Sequence, residues 1–87
     1  MNEFVVYVLH SERHRKNYIG YTSDLVSRFR SHNFLGKKGW TINYRPWRVI
    51  FVKFFSEKAE AMKFEKYLKT GVGREWLIKH IQGNELH

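Results

Sequence analysis

The run Phe4-Val5-Val6-Tyr7-Val8-Leu9 constrains the fold more than any other stretch of this chain. It is continuously apolar and β-prone, without the alternation of a half-exposed strand. It therefore reads as a strand buried on both faces. The polar, basic stretch from Ser11 to Lys16 reads as a hairpin loop, and Asn17-Tyr18-Ile19-Gly20-Tyr21 as the returning strand. Antiparallel pairing would bring Tyr7 and Tyr18 to one sheet.

Downstream, Thr22 or Ser23 can cap a helix over about residues 24–33, with Asp24 in its first turn, where the helix dipole favours a negative charge. Leu25 and Phe29 form its inward i, i+4 pair, and Arg28 and His32 stack on a neighbouring face. The stretch from Phe34 to Trp47 has no clean period and carries Gly36, Gly39 and Pro46, which predicts a long loop. Arg48 to Phe55 reads as a third strand. Ser56 is placed to cap a second helix ending at Thr70, with Gly71 as its stop, and Arg74 to Ile81 predicts a third helix. The order β-β-α-β-α-α implies an α+β fold with a small, mainly antiparallel three-stranded sheet flanked by helices. One domain over residues 1–82 is expected, with a frayed tail over 83–87.

With 87 residues and no cysteine, the chain is sized for one small domain, and disulfides, thiol nucleophiles, iron–sulfur clusters and cysteine-ligated zinc are excluded. The apolar run is too short for a membrane span, and an acid at Glu3 with charges close behind does not suit a secretion signal. A cytoplasmic protein with no membrane partner is expected. Sixteen Lys and Arg oppose eight acids, for a net charge of +8, which favours a polyanionic partner, nucleic acid first. Arg13, Arg15 and Lys16 crowd the hairpin, Arg30 sits on the first helix, and Lys37, Lys38, Trp40 and Arg45 occupy the long loop. Cations interleaved with aromatics suit phosphate contact and base stacking. Nothing resembles a recognition helix, so structure rather than base sequence should guide binding.

In the second helix Glu65 falls beside an apolar stripe made by Ala61, Phe64 and Leu68. A carboxylate there needs a cation or donor. Taken singly, Glu65, Arg28, His32 and the tyrosines each have an ordinary structural explanation. Together they form a set suited to phosphodiester hydrolysis: a carboxylate for a divalent metal, a guanidinium for the transition-state charge, and a phenol or imidazole for the attacking water.

Arranged in order, these blocks resemble the GIY-YIG nuclease domain in its short, stand-alone bacterial form. Val5-Val6-Tyr7 keeps only the tyrosine of the first motif, whereas Tyr18-Ile19-Gly20 is an intact second motif. The stretch from Thr22 to Asn33 is similar to the family's arginine helix, Tyr44-Arg45-Pro46-Trp47 to the segment before its third strand, and the stretch from Glu57 to Lys69 to its glutamate helix. Gly71-Val72-Gly73-Arg74-Glu75-Trp76-Leu77 resembles the usual ending, without the asparagine many members carry there.

The resemblance implies a metal-dependent DNA endonuclease acting in repair or recombination. Within it Tyr7 would serve as the base or position the water, and Tyr18 would support it at the scissile phosphate. Arg28 would bind that phosphate, His32 would assist in proton transfer, and Glu65 would hold one Mg²⁺ or Mn²⁺. Whether Tyr7 or His32 is the base stays open, because a free phenol has a pKa near 10. The alternatives are a nucleic-acid-binding module without turnover, and a homodimer or subunit of a larger complex.

Overall fold

The computed structural model describes residues 3–30, 32–33 and 40–85. Lys37 and Lys38 lie outside the described residues, as does the side chain of Trp40. The strands β1 (Phe4–Ser11), β2 (Lys16–Thr22) and β3 (Arg48–Phe55) form one antiparallel sheet in the order β2-β1-β3. The helices are α1 (Leu25–Arg30), α2 (Lys58–Leu68) and α3 (Gly71–Glu85). The β-β-α-β-α-α order and the three-stranded antiparallel sheet are as expected from the sequence, and β3 has the expected bounds.

Central placement explains the unbroken apolar run. Val5, Val6, Tyr7, Val8 and Leu9 are all buried because β1 has a strand on each side and cover on each face. Val6 and Val8 pack with Phe51, Ala61, Leu68 and Leu77 under α2 and α3. Tyr7 and Leu9 face the other way, against Trp47, with Tyr18, Leu25, Phe29 and Tyr44 around them. The sheet is thus a partition between a helix-covered core and a second, aromatic cluster. Among the described residues, no helix is long and apolar enough to cross a membrane.

Several local expectations are corrected. The cap of α1 is Asp24 itself: its Oδ1 accepts the Ser27 N–H (3.1 Å), while Thr22 Oγ1 accepts the N–H of Asp24 (3.0 Å). Regular α1 ends at Arg30, and His32 and Asn33 sit in a wider turn beyond it. Part of the expected long loop is a 3-10 helix, Trp40–Tyr44. Glu57 occupies the cap position of α2 without a side-chain bond, so Ser56 does not serve there.

The largest correction concerns the junction of α2 and α3. Gly71 does not stop a helix; it opens α3, which continues to Glu85, beyond the expected end at Ile81. The turn is closed by Thr70, whose hydroxyl donates to the Tyr67 carbonyl (2.6 Å) and accepts the Gly73 N–H (3.1 Å). A Cβ at Gly71 would meet nothing within 4 Å, whereas one at Gly73 would lie 1.9 Å from the Tyr67 carbonyl oxygen. That obstacle is backbone and cannot rotate aside. Gly73→Ala should therefore push α3 off the end of α2 and cost about 3 kcal/mol, while Gly71→Ala is close to neutral. Paired urea melts of the two variants check this contrast.

Candidate active site

Tyr7 is wholly buried on the central strand, and three groups converge on its hydroxyl. His32 Nε2 lies 3.1 Å away, the Arg28 guanidinium acts electrostatically on the phenol, and Gly20 lies opposite it in the β1–β2 register. A Cβ on Gly20 would come within 2.7 Å of the Tyr7 hydroxyl oxygen and 3.0 Å of Tyr18 Cε1. Glycine is needed here for room rather than for backbone freedom. The rings of Tyr7 and Tyr18 lie 6.2 Å apart, and Tyr18 is 4.6 Å from the imidazole of His32.

The electrostatics follow from this crowding. Burial pushes the Tyr7 phenol up to about 12, with Tyr18 and Glu65 adding to the rise and Arg28 opposing it. Arg28 is held even more firmly charged than usual, chiefly by its hydrogen bond to Tyr7. His32 is shifted down by burial and by the neighbouring charges of Arg28 and Arg45, so it is neutral at pH 7.

Glu65 lies on α2, with its side chain only 15% exposed and Oε1 3.4 Å from Lys69 Nζ. Its charge is felt at Tyr7, which places it in the same electrostatic neighbourhood as the phenol. Among the described residues, no three His, Cys, Asp or Glu side chains gather to cage a metal. One carboxylate is nonetheless a fitting donor set for a small, hard cation that keeps several waters and takes further oxygens from a phosphate. Thus Tyr7, Tyr18, Arg28 and His32 share one region, although they come from β1, β2, α1 and the turn after α1, while Glu65, on α2, is linked to them through its charge alone.

The expected nucleic-acid contacts are more scattered. Arg13 lines a cavity of about 460 Å³ with His10, Trp47 and Arg48. Arg15 adopts a positive φ of 52° in the hairpin turn, and Lys16 lies 5.7 Å over the ring of Tyr44. Arg30 is exposed at the end of α1. Arg45 is committed to the scaffold as well: its Nε donates to the His32 carbonyl (2.6 Å).

Sequence reasoning missed two residues. Thr41 is buried, with Oγ1 3.0 Å from His32 Nδ1. Asn33, also buried, donates from Nδ2 to the Trp47 carbonyl (2.7 Å) and accepts the Trp47 N–H. Trp47 itself is buried and donates from Nε1 to the Thr41 carbonyl (2.8 Å). The 40–47 segment is in this way tied down across the turn that carries His32.

Residues 3–79 match the model of the GIY-YIG catalytic domain. The chain is 36% identical over 85 residues, 92% of its length, to the structure-specific endonuclease subunit SLX1 of Malassezia globosa. It is 45% identical over 58 residues, 63% of its length, to the corresponding subunit homologue of Giardia intestinalis. It spans only 19% and 16% of those relatives, respectively. The solution structure of the UPF0213 protein BH0048 from Bacillus halodurans is similar, with a TM-score of 0.54 and 26% identity over 88% of this chain and 83% of that one.

Proposed function

Because the chain belongs to the GIY-YIG catalytic-domain family, we propose that it is a metal-dependent endonuclease that hydrolyses DNA phosphodiester bonds, selecting substrate structure over base sequence, in repair or recombination. The observation that carries this reading is the buried Tyr7 hydroxyl, 3.1 Å from His32 Nε2 and under the influence of the Arg28 guanidinium. The names of the SLX1 relatives support the structure-specific choice of substrate.

Tyr7 is not a resident base. With its pKa pushed up to about 12, only about one molecule in 10⁵ is phenolate at pH 7. Neutral His32 resolves this. As the attacking water gives a proton to the Tyr7 oxygen, the phenolic proton passes to His32 Nε2, 3.1 Å away. The water oxygen bonds to phosphorus, the bond to the leaving oxygen breaks, and that oxygen takes a proton from solvent. The imidazolium returns its proton through Tyr7. Arg28 binds the scissile phosphate and stabilises the negative charge that grows on it. Tyr18 packs beside Tyr7 and His32 and contacts the same phosphate. Glu65 would hold Mg²⁺ or Mn²⁺, which would supply Lewis-acid stabilisation of the phosphoryl charge. The exposed cations Arg13, Arg15, Lys16 and Arg30 steer the DNA backbone toward the site.

A nucleic-acid-binding module without turnover is the rival, favoured by one observation: Lys69 sits beside the Glu65 carboxylate. Cleavage of branched, single-stranded and duplex DNA with Mg²⁺ or Mn²⁺ separates the two. Nicking of branched or single-stranded DNA by the wild type, absent in a Tyr7→Phe variant that still binds, supports the nuclease. Equal binding and no cleavage by either supports the rival.

A further inference from the structure

We propose that Thr41 is a positioning residue that fixes the tautomer of His32, holding its proton on Nδ1 so that Nε2 stays open to the Tyr7 hydroxyl. The inference rests on the nuclease reading only for its effect on rate. It starts from the inventory of donors. The Arg28 guanidinium, a group that can only donate, acts on the Tyr7 oxygen and favours its lone pairs turning toward the cation. The phenolic proton is then directed to an acceptor, and His32 Nε2 lies 3.1 Å away. A neutral imidazole that accepts at Nε2 carries its proton on Nδ1, and the atom facing Nδ1 is Thr41 Oγ1, at 3.0 Å.

The reverse tautomer would turn a second donor toward a Tyr7 oxygen already facing the Arg28 cation, while the phenolic proton lost this acceptor, at a hydroxyl that is wholly buried. Unmade hydrogen bonds of that kind are costly.

The surroundings make Thr41 a rigid partner. Its carbonyl accepts from Trp47 Nε1, Trp47 is bound on both sides of its backbone by Asn33, and Arg45 holds the His32 carbonyl. The turn bearing the imidazole and the segment bearing the hydroxyl are therefore cross-braced by three further hydrogen bonds, and a fourth braces the segment internally. Outer partners that orient a metal-bound imidazole are worth about 10- to 100-fold, and the lower end of that range sets the scale for a hydroxyl that orients a proton-relaying one.

The test is nitrogen-detected NMR of the 87-residue chain labelled in its histidines, with His32 assigned by the loss of its signals in His32→Gln. The wild type and Thr41→Ser should show the Nδ1-protonated form. Thr41→Val, which keeps the shape and removes the hydroxyl, should show a mixture or the opposite tautomer. Its cleavage rate should fall about 10-fold at unchanged KM, with Thr41→Ser near wild type. Thr41→Ala serves if the valine variant does not fold. An unchanged tautomer in either folded variant overturns the proposal. So does loss of fold in both, because Thr41 would then be a residue of the scaffold alone. The resonance is read without cleavage, so an inactive wild type would overturn the nuclease reading while the tautomer still decides this one.

Discussion

Arg28→Ala lowers the single-turnover cleavage rate about 10²- to 10³-fold, the loss typical of removing one preorganised donor to a developing oxyanion. The protein itself should survive the change. Arg28 lies on an exposed stretch of a six-residue helix, and the cap at Asp24 and the apolar contacts of Leu25 and Phe29 are untouched. Its removal also takes away the one influence that lowers the Tyr7 pKa, so the phenol becomes harder still to ionise. Arg28→Lys restores charge without the planar fork and should recover only part of the rate. Thermal melts run beside the kinetics decide between roles. A midpoint within a degree or two of wild type with the expected rate loss assigns Arg28 to the phosphate, whereas a large drop in midpoint assigns it to the fold.

Glu65→Gln is expected to remove metal-dependent cleavage by about 10³-fold, since it deletes the charge that would hold the ion and keeps the shape of the side chain. The competing role, an ion pair with Lys69, predicts something much smaller. That pair spans 3.4 Å and its lysine is half exposed, and such pairs are worth about 0–1 kcal/mol. A stability change within that range alongside lost cleavage separates the two. The same substitution has a metal-free signature. The carboxylate adds to the rise of the Tyr7 pKa, so in Glu65→Gln the phenol should ionise at slightly lower pH than in the wild type, which NMR titration of the assigned Tyr7 ring checks.

The strands were legible because β-branched and aromatic residues come in runs, and β3 began and ended where its composition changed. Helix boundaries were less so. Asp24 looked like a first-turn acid and is the cap, because Thr22 already occupies its backbone N–H. Gly71 looked like a stop signal, whereas Gly73 is the position where a side chain has no room. That difference depends on how α3 leans against the end of α2, and no local pattern records it.

In the site, Tyr7, Tyr18, Arg28, His32 and Glu65 stood out through motif order; Tyr18, Arg28 and His32 lie about the Tyr7 phenol, and Glu65 acts on it through its charge. Thr41 and Asn33 did not stand out, because a threonine between aromatic residues and an asparagine after a histidine carry no periodic or motif signal. Their roles exist only once the 40–47 segment folds back over the turn after α1. Arg45, by sequence a candidate for the DNA backbone, binds the His32 carbonyl for the same reason.

The central claim is that side chains from five separate parts of the chain surround one phosphate and one cation. Paramagnetic broadening by Mn²⁺, followed by NMR in the presence of a phosphorylated oligonucleotide, tests it most directly. Resonances of Tyr7, Tyr18, Gly20 and Arg28 should broaden together at low Mn²⁺, and Glu65→Gln should abolish the effect. Broadening confined to other surfaces, or the same broadening in Glu65→Gln, would contradict it.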